Sequence, residues 1–182
     1  QGLMQWVNGD KYEGQFVDNK KSGKGTFTWA DGETYVGDYV DDKQTGTGTF
    51  NWNSGNSYSG DFVNARRTGK GIFTWANGNQ YSGDYELDKM HGNGTFTWPN
   101  GIAYVGDFNN GKRTGKGILT WPAGDKYAGD FLEDKRTGLG IFTLSNGEKY
   151  TGYFVDGAMH GKGTYVWPNG VKYIGDFDKG QK

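Results

Sequence analysis

Apolar positions fall two apart at Phe27 and Trp29, and again at Tyr35, Gly37 and Tyr39. A spacing of two sends alternate side chains to opposite faces of a strand, and no stretch shows the 3.6-residue spacing of an amphipathic helix. Thr26, Thr28, Thr34 and Asp38 fill the alternate positions, so the pattern predicts strands with one ring-bearing face and one polar face. Between the strands, Ala30-Asp31-Gly32-Glu33 is a turn signal. Pro99, Pro122 and Pro168 occupy the Ala30 position in later copies, where a strand can end without its N–H. A two-residue turn at Asp31-Gly32 would divide the rings between two faces, whereas a connection of odd length keeps them on one. The polar alternation favours one face. Asp41-Asp42-Lys43-Gln44-Thr45 reads as a second, polar connection.

The pattern repeats. Tyr-x-Gly recurs at Tyr12, Tyr35, Tyr58, Tyr81, Tyr104, Tyr127, Tyr150 and Tyr173, always 23 residues apart. Gly-x-Gly keeps the same phase from Gly23 to Gly161, and a turn glycine follows it from Gly9 to Gly170. Only Gly111, Gly157 and Gly180 lie outside these columns, and only Tyr153 among the aromatic residues lies outside the Tyr12, Phe16, Phe27 and Trp6 columns, which keep the same period. An unbroken period of this length is the mark of a stacked array. Two strands per repeat give an all-β antiparallel meander of about eight repeats over residues 1–182; sixteen strands would make a twisted or curved rod roughly 75 Å long. Glycines on the ring-bearing strands leave gaps in which a neighbouring ring can lie flat, which is why both residue types are abundant.

Composition changes the picture in one respect: hydrophobic residues are only 33% of the 182, yet aromatics reach 16% and glycines number 34. Such a chain buries rings against glycine backbone. Its net charge of -1 supplies no global field for nucleic acid, and the absence of cysteine removes disulfides and thiolate metal sites. No apolar run approaches the ~20 residues of a membrane span, so a soluble, intracellular setting is expected, at a membrane or a cytoskeletal structure.

Taken together, YVGDY, KQTGTGTFNW and NSG resemble the MORN (membrane occupation and recognition nexus) repeat, as do KMHGNGTF at 89–96 and AMHGKGTY at 158–165. The resemblance covers residues 2 to 180. Leu144 in the tryptophan column, Leu119 in the phenylalanine column and Tyr153 in the Asp38 column depart from it. It implies stacked antiparallel hairpins with a groove, a scaffold binding partner proteins, often as a dimer, and a link to membranes and phosphoinositides.

Candidate chemistry is sparse. Gly23-Lys24-Gly25-Thr26 has the glycines and lysine of a phosphate loop in the wrong order, and a strand follows it where a phosphate loop needs a helix. His91 and His160 lie three repeats apart, roughly 30 Å, and cannot share a metal. No triad, metal site or cofactor is indicated, and no small-molecule substrate is expected. The acidic column Asp38, Asp61, Asp84, Asp107, Asp130 and Asp176 reads as a solvated ladder paired with nearby cations, and Asn93-Gly94-Thr95 is a weak glycosylation match.

Two surfaces remain as binding candidates. An aromatic groove with Tyr35, Tyr39, Trp52, Tyr58, Trp75, Tyr81, Trp98 and Tyr104 is suited to an extended or helical peptide. A basic column of Lys20, Lys43, Arg66, Lys89, Lys112 and Lys135, with Lys21, Arg67, Arg113 and Arg136 adjoining, offers a track for anionic lipid or an acidic partner, although neighbouring acids weaken it. The leading expectation is a non-enzymatic protein-binding scaffold, self-associating as a homodimer or end to end through its terminal edges. Lipid targeting stands second and glycan binding third. The array is expected to be a segment of a longer chain.

Overall fold

The computed structural model describes residues Gln1–Lys182 and contains sixteen β-strands and no helix. They are β1 (Gly2–Gln5), β2 (Lys11–Val17), β3 (Lys20–Thr28), β4 (Thr34–Val40), β5 (Lys43–Asn51), β6 (Ser57–Val63), β7 (Arg66–Thr74), β8 (Gln80–Glu86), β9 (Lys89–Thr97), β10 (Ala103–Asn109), β11 (Lys112–Thr120), β12 (Lys126–Leu132), β13 (Lys135–Thr143), β14 (Lys149–Val155), β15 (Ala158–Val166) and β16 (Lys172–Phe177). The strands follow chain order through one open antiparallel sheet, the meander that the period of two predicts. The chain forms two compact units, Gln1–Lys89 and Met90–Lys182.

In the first unit, the register Thr28↔Thr34 leaves the five residues Trp29–Glu33 between β3 and β4. Trp29 N–H donates to the Glu33 carbonyl and Gly32 N–H to the Trp29 carbonyl, both at 3.0 Å. Gly32 takes φ 94°, a conformation closed to most side chains. The odd length puts Phe27 and Tyr35 directly opposite one another on a single face. The second connection is shorter than the sequence suggests. Val40 pairs with Lys43, so only Asp41 and Asp42 turn the chain, with φ 47° and 67°. Those angles are the left-handed pair of a tight hairpin turn, which aspartate and asparagine tolerate. Lys43, Gln44 and Thr45 therefore belong to β5 rather than to a loop. Asp42 N–H donates to the Lys21 carbonyl at 3.0 Å and its carboxylate accepts Lys21 N–H at 2.8 Å, tying each hairpin to the one before.

A bulge interrupts every second ladder. Gly37 pairs with Gly48 but Asp38 pairs with Thr45, which leaves Gly46 and Thr47 as extra residues on β5. Gly46 supplies the positive φ of 54° that the bulge needs. The Asp38 carboxylate accepts the displaced Thr47 N–H at 3.0 Å, and Asp61 does the same for Lys70 at 2.9 Å. The second unit repeats the device: Asp107 accepts Lys116 N–H at 3.0 Å and Asp130 accepts Leu139 N–H at 3.2 Å. The aspartate column is thus part of the backbone hydrogen-bonding as well as a set of surface acids.

The other glycine of each Gly-x-Gly has a different task. A Cβ at Gly48 would stand 2.4 Å from the Tyr35 hydroxyl, and one at Gly37 would stand 2.5 Å from it. The tyrosine ring lies flat on this glycine pair.

Candidate functional site

Two rows of rings run along the aromatic face of each unit. The inner row is made of tyrosines meeting edge to face both with the ring four residues on and with the ring of the next repeat. In the first unit Tyr12–Tyr39, Tyr35–Phe62 and Tyr58–Tyr85 stand 5.1–5.2 Å apart; in the second, Tyr104–Phe131 and Tyr127–Phe154 stand 4.9 Å apart. Each tyrosine hydroxyl donates to the carbonyl three residues on, as Tyr58 does to Asp61 at 3.1 Å and Tyr104 to Asp107 at 3.0 Å, so the polar end is satisfied at the bulge. Burial, partly offset by nearby arginine, pushes the hydroxyls of Tyr58, Tyr104 and Tyr127 up to about 12.

This row is core. Tyr35, Tyr58, Tyr81 and Tyr104 are 0% exposed and Tyr39 is 2% exposed, so five of the eight aromatic residues singled out from the sequence have no surface to offer a partner. The glycine gaps that let the rings lie flat also close them off.

The outer row is accessible in part, at its tryptophans and Phe50, while Phe27 and Phe73 are buried. In the first unit Trp6, Phe27, Trp29, Phe50, Trp52 and Phe73 follow one another at 4.4–5.4 Å. In the second, Phe96 meets Trp98 at 4.5 Å and Trp121 meets Phe142 at 5.6 Å. Trp52, Trp75 and Trp98 are half-buried, each presenting part of its ring to solvent.

Between the rows lies a feature that the sequence reading grouped with the loops. Lys21, Arg67, Arg113 and Arg136 share strand parity with Phe27, Phe73, Leu119 and Phe142, and they point onto the aromatic face. Arg67 stands 5.3–5.9 Å from the rings of Trp52, Tyr58, Phe73 and Tyr85, and Arg136 holds the equivalent place over Trp121, Tyr127, Phe142 and Phe154. Arg67 Nη2 also donates to the Asp88 carbonyl at 2.9 Å, and Arg136 Nη2 to the Gly157 carbonyl at 2.6 Å. The side chains of Arg67 and Arg113 are only 22% and 19% exposed. The signal was present in the two-residue spacing back from Phe27 through Gly25 and Gly23 to Lys21.

The remaining basic column begins the long strands and lies outside the rings. Lys20 pairs with Asp41 at 3.2 Å, Lys135 with Asp156 at 2.7 Å, and Lys112 with Glu133, which raises the Lys112 ammonium above its ordinary value. Lys43 and Arg66 are exposed without an ion pair; Lys89 opens β9. On the polar face Lys24 meets Asp38 at 2.7 Å, Lys70 meets Asp84 at 2.5 Å and Lys116 meets Asp130 at 2.5 Å. The Lys24 ammonium, through its hydrogen bond, is the main cause holding the Asp38 carboxyl below its ordinary value. The polar face carries an open groove in each unit: one of about 700 Å³ lined by Thr26, Val36, Thr49 and Ser59, and one of about 630 Å³ lined by Val105, Ile118, Leu139 and Ile141. His160 faces Asp178 at 3.4 Å, and no three metal-ligating side chains converge.

The repeat architecture has a family counterpart. The MORN repeat matches at residues 12–34, 35–57, 58–80, 81–102, 104–126, 127–149 and 150–172. The chain belongs to the MORN-repeat family. No curated protein sequence matches it. Among solved structures, this MORN chain is similar to the TCP domain of Drosophila melanogaster SAS-4 in complex with a proline-rich motif of Ana2 (TM-score 0.54, 13% identity, 85% of each chain covered). It is also similar to the G-box domain of the microcephaly protein CPAP (TM-score 0.52, 14% identity, 97% of this chain and 99% of that one). At such identities the likeness speaks for the fold alone.

Proposed function

We propose that this MORN array is a non-enzymatic scaffold that binds an extended segment of a partner protein along the outer ring row, through Trp29 and Trp52 in the first unit and Trp98 and Trp121 in the second. One observation carries the reading: the inner tyrosines Tyr35, Tyr58, Tyr81 and Tyr104 are sealed, whereas the tryptophans of the outer row are half-buried, so most of the accessible ring surface of this face lies along the outer row. Such strips suit extended and proline-rich segments, which lose little entropy on docking. The SAS-4 TCP domain, a similar sheet, was solved with a proline-rich motif bound. The ion pairs of Lys20, Lys112 and Lys135 favour a protein partner over a membrane, because they spend on neighbouring acids the charge that a lipid track requires.

Selection of phage-displayed dodecamers on the intact chain tests this. Selected peptides should lose about tenfold or more in affinity on Trp29→Ala and Trp52→Ala; unchanged affinity on both would place the site elsewhere. Flotation with phosphatidylserine vesicles that disappears on reversing Lys43 and Arg66 would instead support the lipid reading.

A further inference from the structure

The cation column has three gaps. At intervals of 23 residues it reads Lys21, Gln44, Arg67, Met90, Arg113, Arg136, Met159 and Lys182. Lys182 Nζ, last in this phase, lies 3.9 Å from the Trp167 ring centre and 4.2 Å from that of Tyr165, so a lysine there also finds the outer row. The rings that surround Arg67 are Trp52, Tyr58, Phe73 and Tyr85; their counterparts around Gln44 are Trp29, Tyr35, Phe50 and Phe62, all aromatic. Around Met159 the counterpart of Trp52 is Leu144. Met90 also keeps aromatic counterparts, Trp75, Tyr81, Phe96 and Phe108, but puts an apolar side chain in the place of the cation; Gln44 alone combines a complete ring set with a polar, uncharged side chain.

The surroundings of Gln44 differ from those of the neighbouring cations. Phe27 and Phe73, beneath Lys21 and Arg67, are buried, whereas Phe50 is half-buried, as is Phe142 beneath Arg136. Gln44 pairs with Tyr39 across the β4–β5 ladder. The acid that accompanies each neighbouring cation, Asp42 for Lys21 and Asp88 for Arg67, is replaced at this level by Ala65. Arg136, whose turn position holds Gly157, shows that a cation can sit over the rings without a counter-acid; at Gln44 both are absent while the rings remain.

We propose that the Trp29–Phe50–Trp52 surface beside Gln44 receives an arginine side chain from the partner protein, supplying from outside the cation that Arg67, Arg113 and Arg136 supply from within. The inference rests on the scaffold reading and names the residue that the scaffold recognises. Arginine fits better than lysine because its planar guanidinium stacks on rings while donating in plane. At the equivalent level Arg136 donates to the Gly157 carbonyl; here Ala65 presents the carbonyl of the same turn position.

The probe is the capped peptide Gly-Pro-Arg-Pro-Gly and its citrulline counterpart, a neutral isostere, followed through the indole N–H signals of the labelled chain. The arginine peptide should shift Trp29 and Trp52 but not Trp121, and the citrulline peptide should bind about tenfold more weakly. Gln44→Arg, which fills the position from within, should abolish the shifts. Phe50→Leu, which the leucine at 119 shows the repeat can accommodate, should weaken the arginine peptide and leave the citrulline peptide unchanged. Equal binding of the two peptides, no shift at Trp29 and Trp52, or undiminished shifts in both variants would overturn the proposal. If the selected dodecamers still need Trp29 and Trp52 but contain no required arginine, the scaffold reading stands and this inference falls.

Discussion

Tyr58 lies flat on Gly71: a Cβ added to that glycine would meet the Tyr58 hydroxyl at 2.3 Å and its ring carbon at 2.4 Å. The contact couples two columns of the repeat, since the ring can be sealed only where the paired strand offers bare backbone.

Gly71→Ala should therefore destabilise the first unit by about 1–3 kcal/mol, the range for a forced methyl in a packed core. Urea unfolding followed by circular dichroism reads this directly. Tyr58→Phe keeps the ring but removes the hydrogen bond to Asp61, and should cost about 1 kcal/mol. If Gly71→Ala proves as mild as Tyr58→Phe, the flat ring packing is not what requires glycine.

Alkaline pH should unfold the chain. Tyr58, Tyr104 and Tyr127 ionise near 10 when unfolded but are pushed up to about 12 in the fold, so the native state holds their protons where the unfolded state has released them. Their contribution is complete below pH 10 and is lost as pH rises from 10 towards 12. Tyrosinate absorbance should accordingly rise together with the loss of β-sheet signal; a rise that precedes it by a full pH unit would contradict the burial argument.

Arg67→Met replaces the cation with the residue found at Met90 and Met159 in the same column. The apolar stem is retained while the ring–cation contacts and the bond to Asp88 are lost, so the expected cost is about 1–2 kcal/mol. Lys43→Met, at an exposed position without an ion pair, should leave the midpoint unchanged. Matching effects from the two substitutions would remove the distinction between inner and outer cations.

Asp38→Ala leaves the Thr47 N–H of the bulge without its acceptor and Lys24 without its partner. A loss of about 1–2 kcal/mol at neutral pH is expected. Because the folded carboxyl lies below its ordinary value, the contribution of Asp38 is present above the unfolded value of 3.8 and lost as pH falls through the folded one. The wild type and variant should converge in stability in acid; a gap that persists there would assign the loss to packing.

Strand type, the single aromatic face and the repeat length were legible in the residues because they depend on alternation and period alone; the family was legible in the resemblance of YVGDY and KQTGTGTFNW to its repeat. Leu119 and Tyr153, which depart from their columns, leave the antiparallel register around them intact. The tight turn at Asp41-Asp42 was less legible: aspartate at positive φ has no distinctive residue signature when glycine is absent, so the strand residues Lys43, Gln44 and Thr45 read as part of the connection.

The sequence by itself determined which residues share a face, since parity follows from a two-residue period wherever the chain folds. Only the tertiary structure decided which of those residues remain accessible. Accessibility depends on how a ring from one strand lies over glycines of the next, and on the bulge that frees a carbonyl for each tyrosine hydroxyl. Those contacts sealed Tyr35, Tyr58, Tyr81 and Tyr104, left the tryptophan row half-open, and drew Arg67 and Arg136 from an apparent surface track into the space between the rows.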